Sequence, residues 1–311
     1  MFLVLIAIGW YVKGQILESG GPLRPLMAAY DVRHYDLDIA VDPASKSIRG
    51  SNRVTVETLG VLDRFEIHLD DRLGVESVEV DGETAGFDHD GGLIVVDLPD
   101  PWGEGGRHEV TISYAGQPKK AIKPPWIDGF VWSETPAGQP WVGVTGEGDG
   151  GDNWWPCKDH PSDEPDEGME IALTVPDSLV ALSNGRPLGE VDNGDGTVTS
   201  RWRVGYPINN YCVTVKIRPF EPLEIAYRRI DGGLDERLVF WAIPEAVEDA
   251  ERMWQQMPEI LAVLGGRFGE YPFFGDKFWV VHAPYYGMEH QTIAVSYTHL
   301  TLPTTLPRWR G

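Results

Sequence analysis

The stretch Tyr35-Asp36-Leu37-Asp38-Ile39-Ala40-Val41 alternates apolar with polar or small residues at a period of two. Neighbouring side chains of an extended chain point to opposite faces, so this is the pattern of a strand with one face in a core. Short runs of the same kind follow at 53–58, 64–69, 75–80, 93–98 and 109–114. They are separated by Asp81-Gly82, Gly91-Gly92 and a Gly-rich 103–106, and such pairs reach the positive φ that tight hairpins need. Further strands are expected at 170–175, 197–204 and 211–218, with Asp192-Asn193-Gly194-Asp195-Gly196 as a hairpin turn. The result is a sandwich-like β-domain.

After about Pro222 the pattern changes. Pro244-Glu245-Ala246-Val247-Glu248-Asp249 opens a helix, with Pro in its first turn and acids at the positive end of its dipole. Val247, Met253, Trp254, Met257, Ile260, Leu261 and Leu264 form an apolar face at helical spacing. Pro258 implies a kink or two abutting helices, and Gly265-Gly266 is the expected end. Phe278-Trp279-Val280-Val281 reads as a short buried strand. These features open a second domain near Glu236.

The composition narrows the functions available. With 311 residues the chain has room for roughly two domains of about 150 residues each. Forty-eight acidic against 26 basic residues give a net charge of −22, with no Lys/Arg-rich block. That excludes nucleic acid and anionic lipid as natural partners. Cys157 and Cys212 are too few for a disulfide framework or a Cys-rich zinc site. Residues 1–12, MFLVLIAIGWYV, are about half the length that spans a bilayer, so no membrane span is expected there. They read either as the apolar core of an export signal, which would make the protein periplasmic or exported, or as the product of a clipped or misplaced start codon, which would leave it cytoplasmic.

Several motifs fail on their context. Gly146-Glu147-Gly148-Asp149-Gly150-Gly151 matches G-x-G-x-x-G, but no apolar helix follows and its acids would repel a pyrophosphate. His108-Glu109 lacks the second His of a zinc helix and sits in a strand pattern. No Gly-x-Ser-x-Gly elbow and no Walker sequence occurs. Two stretches stand out instead. One is the acid-rich loop from Glu147 through Trp154-Trp155-Pro156-Cys157-Lys158-Asp159-His160-Pro161; the other is Tyr285-Tyr286-Gly287-Met288-Glu289-His290-Gln291. Taken singly, the first reads as a solvated connector and the second as a polar strand end.

Together and in this order they resemble the aminopeptidase N family of zinc metallopeptidases (gluzincins). That family carries Pro-Cys-x-Asp-x-Pro in an N-terminal β-domain and Gly-x-Met-Glu-Asn on an edge strand of a thermolysin-like catalytic domain. Here Tyr286 replaces the first Gly and His290 the Asn. The resemblance covers about residues 28–295. It implies a mainly β chain: a sandwich or saddle-like N-terminal β-domain over 28–235, then an incomplete α/β thermolysin-like domain over 236–295. Residues 1–27 are then a leader, and the acid-free 296–311 an artefactual or disordered tail.

The resemblance also implies that Glu289 holds the free ammonium of a peptide's N-terminus. Glu147, ten residues before Cys157, matches a second amine-holding position, and His290 completes the motif. Gly287 and Met288 would present backbone to an extended peptide. Two carboxylates around one ammonium offset its desolvation better than one exposed carboxylate does. In the family, zinc is held by His-Glu-x-x-His and a later Glu. None of the eight His residues here forms that motif, so zinc belongs to a full-length parent and this chain is expected to bind none and to hydrolyse nothing. An unfinished catalytic domain should also expose an apolar face. The reading from another class is a non-catalytic β-sandwich module that binds peptide or, through some of its 12 Trp and 11 Tyr, carbohydrate.

Overall fold

A computed structural model of the chain describes residues 19, 21–135 and 137–296. The leader reading at 1–18 and the tail reading beyond Ser296 lie outside these residues. In chain order the strands are β1 (Tyr30–Asp42), β2 (Ser47–Thr58), β3 (Leu62–His68), β4 (Leu73–Val80), β5 (Glu83–Thr84), β6 (Phe87–Asp90), β7 (Leu93–Trp102) and β8 (Arg107–Gly116). There follow β9 (Gly129–Glu134), β10 (Pro140–Thr145), β11 (Met169–Pro176), β12 (Val180–Ser183), β13 (Arg186–Asp192), β14 (Thr197–Val204) and β15 (Val215–Arg218). The last part holds β16 (Glu221–Arg228), β17 (Asp235–Ala242), helices α1 (Val247–Trp254) and α2 (Met257–Phe268), β18 (Trp279–His282) and β19 (Ile293–Ser296).

β1 lies inside an eight-stranded sheet of order β13-β14-β11-β1-β2-β8-β4-β5. Tyr35, Leu37, Ile39 and Val41 are all buried, as the alternation requires. A three-stranded sheet, β3-β7-β6, supplies Phe65, Ile67, Ile94 and Val96 to the same core. A four-stranded sheet, β12-β15-β10-β9, adds Val142, Val144, Ala181, Val215 and Ile217. This is the expected mainly β architecture, with two features beyond the sequence pattern. β1 pairs with β11 in parallel, and β13 has every residue exposed.

The fourth sheet, β16-β17-β18-β19, gives Val239, Trp279, Val281, Ile293 and Val295 to that core and shares in a second one of Tyr227, Leu238, Phe240, Trp254, Leu261 and Phe274. β17, β18 and β19 run parallel. Parallel neighbours need a crossover, and α1 and α2 supply it between β17 and β18. Glu236 lies within β17, whose hairpin partner β16 starts at Glu221. We therefore propose Glu221 as the start of the second unit.

Four local expectations are corrected. The helical segment is two helices abutting before Pro258, but the second does not stop at Gly265-Gly266; it runs to Phe268 and is capped by Gly269 with φ 93°. Gly265 serves packing instead: a Cβ there would lie 2.7 Å from a Glu270 carboxylate oxygen and 3.0 Å from Ile230 Cδ1. The buried side of the helices is Ala250, Trp254, Leu261 and Gly265. Ile260 and Leu264, placed on that side by spacing, face solvent with Val263 and Phe268. Residues 211–218 are not one strand, because Asn210–Cys212 forms a 3₁₀ turn before β15. Finally, Ser296 is the last residue of β19 and pairs with His282. No helix among the described residues is long and apolar enough to cross a membrane.

Candidate functional site

Glu147 follows β10 on a loop pinned from behind. The buried Asp128 carboxylate accepts the backbone N–H groups of Gly148 and of Asp149, the latter at 2.8 Å. Gly150 N donates to Gly146 O at 3.0 Å, and Gly151 N to Asn210 Oδ1 at 3.1 Å. Asp149 is paired with Lys119. Glu147 itself is exposed. A loop whose backbone is fixed while one carboxylate faces solvent is suited to holding a cation.

Glu289 is also exposed, and Gly287 is half-buried beside it. Met288 and His290 point the other way: they are 4% and 2% exposed. His290, grouped on sequence with substrate-binding side chains, is thus inside the protein, where burial and the nearby Lys216 ammonium lower its pKa. Neither of its ring nitrogens has a hydrogen-bond partner among the described residues. Residues 287–290 do not form the expected edge strand. They run irregularly past β19, and Val295 N donates to Met288 O at 2.9 Å. The buried, β-domain-facing side chains at 288 and 290 hold this segment in place of a full ladder.

Two tyrosines lay the Glu289 segment against the Glu147 strand. Tyr285 donates to Val144 O at 2.9 Å, and its ring lies 2.8 Å from where a Cβ on Gly143 would stand. Only glycine admits this approach. Tyr211 donates to Glu289 Oε1 at 3.5 Å, while its carbonyl lies 3.4 Å from a notional Cβ on Gly146. Burial raises the Tyr211 phenol above its ordinary pKa, with Cys212 and Glu289 adding to the effect. Tyr211 therefore stays protonated and donates. Sequence reading missed it, since nothing in Asn209-Asn210-Tyr211 marks a partner 78 residues away.

The contacts that tie the β12–β15 region to the segments around β18 and β19 are specific. Asn184, fully buried, donates to Cys212 O at 2.9 Å and to Gln291 O at 2.7 Å, and accepts from Thr214 N at 2.8 Å. Gly185 N donates to Thr292 Oγ1 at 2.8 Å. Lys277 donates to Ser183 O at 2.5 Å and stands 4.1 Å from the ring centres of both Trp202 and Trp279. Such a cation–π sandwich offsets part of the cost of burying an ammonium. Burial still lowers the Lys277 pKa.

A cleft of about 980 Å³ includes neither Glu147 nor Glu289. Its lining holds Asp70, Asp71, Asp149, Asp152 and Asp159, with His68. Burial pushes Asp159 up to about 6 and His68 down to about 4. A carboxyl raised on folding binds more protons in the native state, so its stabilising effect is complete below the unfolded pKa near 4 and is lost as pH rises through 6. Asp159→Asn should therefore gain up to about 3 kcal/mol relative to the parent between pH 4 and pH 8. Urea unfolding across that range checks this, and a pH-independent difference would refute it.

Among the described residues, no group of three His, Cys, Asp or Glu side chains is arranged to hold a metal.

No protein-family model and no curated protein matches the chain. Solved structures do. The M1 zinc metallopeptidase from Deinococcus radiodurans superposes with a TM-score of 0.71 at 22% identity, over 86% of this chain and 60% of that one. Its E323A mutant bound to Tyr-Ser-Ala gives 0.71 and 22%, over 87% and 61%. Native yeast LTA4 hydrolase gives 0.69 and 17%, over 87% and 41%. The chain thus spans about 60% of the length of the metallopeptidases it matches. Over 86% of its residues this chain has the fold of the M1 zinc metallopeptidases.

Proposed function

We propose that this chain is the N-terminal β-domain and first catalytic-domain sheet of a zinc-dependent aminopeptidase, and that Glu289 and Glu147 together hold the free ammonium of a peptide's N-terminus. The observation that carries this reading is the pair of tyrosine contacts that set Glu289 against the strand leading to Glu147. Two carboxylates on pinned segments favour a charged amine and leave an acylated one without compensation. Similarity of fold to a metallopeptidase crystallised with a tripeptide supports the substrate class. Zinc, supplied by ligands outside these residues, would activate the hydrolytic water. The 311 residues alone contribute amine recognition and release no amino acid.

Ligand-observed NMR titration with L-leucinamide and N-acetyl-L-leucinamide tests the reading. The free amine is expected to bind and the acetylated compound not. Glu289→Gln and Glu147→Gln should each weaken L-leucinamide by about 10-fold or more, the worth of one charge-assisted hydrogen bond. Equal binding of both compounds would overturn the amine site.

A further inference from the structure

Beside the two carboxylates lies an aromatic surface that amine recognition does not use. Trp126 is 58% exposed and Tyr286 is 55% exposed. Their rings are 5.4 Å apart at 53°. Tyr286 stands where the resembling family has glycine, three residues before Glu289. Trp126 sits on a fixed turn: its N–H and that of Ile127 both donate to Lys123 O, at 2.9 and 3.0 Å, and Ile122 N donates to Ile127 O at 3.2 Å. Two residues on, Asp128 pins the Glu147 loop. The Trp126 carbonyl is 4.0 Å from where a Cβ on Gly148 would be. One turn therefore carries the indole and pins the loop that bears Glu147.

We propose that Trp126 and Tyr286 form the surface on which the side chain of a peptide's N-terminal residue packs, and that it selects large apolar side chains over small or cationic ones. The proposal rests on Glu147 and Glu289 holding the amine. A residue whose ammonium is held between them places its side chain within reach of the flanking rings. Two tilted aromatic faces gain from stacking against a third ring or a branched aliphatic group. Cationic side chains meet an obstacle: Lys123 Nζ already lies 5.5 Å from the Trp126 ring centre, so an arginine or lysine approaching that indole faces a like charge. Ile122, 78% exposed, and Ile127, 41% exposed, continue the apolar surface on the same turn.

The test uses the 311-residue chain and three probes with the same free amine: L-phenylalaninamide, L-alaninamide and L-argininamide. Saturation-transfer NMR titrations are expected to rank the phenylalanine compound about fivefold or more tighter than the alanine one, with the arginine compound weaker than the phenylalanine one. Trp126→Ala and Tyr286→Gly should each reduce the phenylalanine-to-alanine affinity ratio severalfold. Having both variants keeps the test decisive if one folds poorly. An unchanged ratio in the folded variants, or a preference for L-argininamide, overturns the proposal. N-acetyl-L-phenylalaninamide separates the two readings. If it binds as well as the free amine, the amine site fails, whereas its exclusion together with an unchanged ratio removes only the aromatic surface.

Discussion

Replacing Asn184 by Ala is expected to lower the unfolding free energy by about 3–5 kcal/mol, because each buried polar group left without a partner costs about 1–3 kcal/mol. The Asn184 side chain makes three hydrogen bonds, to Cys212 O, Gln291 O and Thr214 N. Alanine leaves two carbonyls and one N–H without this partner. The second effect is on the site. Gln291 follows His290 directly, so the same change cuts a tie between the β-domain and the Glu289 segment. Urea unfolding reads the first effect. L-Leucinamide affinity, measured where the variant is still folded, reads the second. A loss below about 1 kcal/mol, the net worth of one ordinary hydrogen bond, would show that the tie is held elsewhere, with Lys277 the next residue to test.

Trp155→Ala is expected to cost a similar amount, about 3–5 kcal/mol, through a different route. Trp155 is completely buried, meets Tyr35 edge to face at 4.9 Å and lies 6.1 Å from Trp154. Its removal leaves a cavity in a core to which all four sheets contribute, and close-packed neighbours collapse only partly into such a space. Trp155 Nε1 lies 2.7 Å from where a Cβ on Gly151 would stand, so the indole also packs against the end of the Glu147 loop. Thermal and urea unfolding should agree on the loss. Trp155→Phe should recover more than half of it, since it restores most of the ring volume. Equal losses for Ala and Phe would mean that shape at this position matters less than the indole itself.

Much of this fold is written locally. The alternation of Tyr35, Leu37, Ile39 and Val41 gives the buried face of β1 because a period of two has one physical meaning on a strand. Asp81-Gly82 and Gly91-Gly92 mark turns because only certain residues reach positive φ, as Asp81, Gly82, Gly91 and Gly92 all do. What periodicity omits is the partner. Nothing in residues 35–41 says that β11 pairs with them in parallel, and nothing in Arg186–Asp192, exposed throughout, separates an edge strand from a loop. In α2 the spacing of Ile260 and Leu264 is helical, yet their face meets solvent. The residues that bury the helix, Leu261 and Gly265, fall on the neighbouring stripe.

The site follows the same division. Glu147 and Glu289 are visible as motif positions, whereas Asp128, Asn184 and Tyr211 are single polar residues whose roles lie in bonds to segments 20 to 107 residues away. His290 shows the opposite case: its neighbours in sequence suggest exposure, yet its side chain is only 2% exposed.

The central place of β1 has a consequence for how the chain is made. β1 is among the first described elements to leave the ribosome, but its parallel neighbour β11 begins at Met169, and β14, which covers β11, ends at Val204. Until those residues emerge, one edge of β1 stays open, with its N–H and C=O groups unpaired and an apolar face behind them. At about 5–20 residues per second, synthesis holds this edge open for seconds after β2 and β8 have closed the other side. Long-range parallel pairing is slow in its own right. Nascent chains stopped before Met169 should therefore be captured by holdase chaperones and aggregate when released, whereas chains that extend beyond Val204 should become protease-resistant.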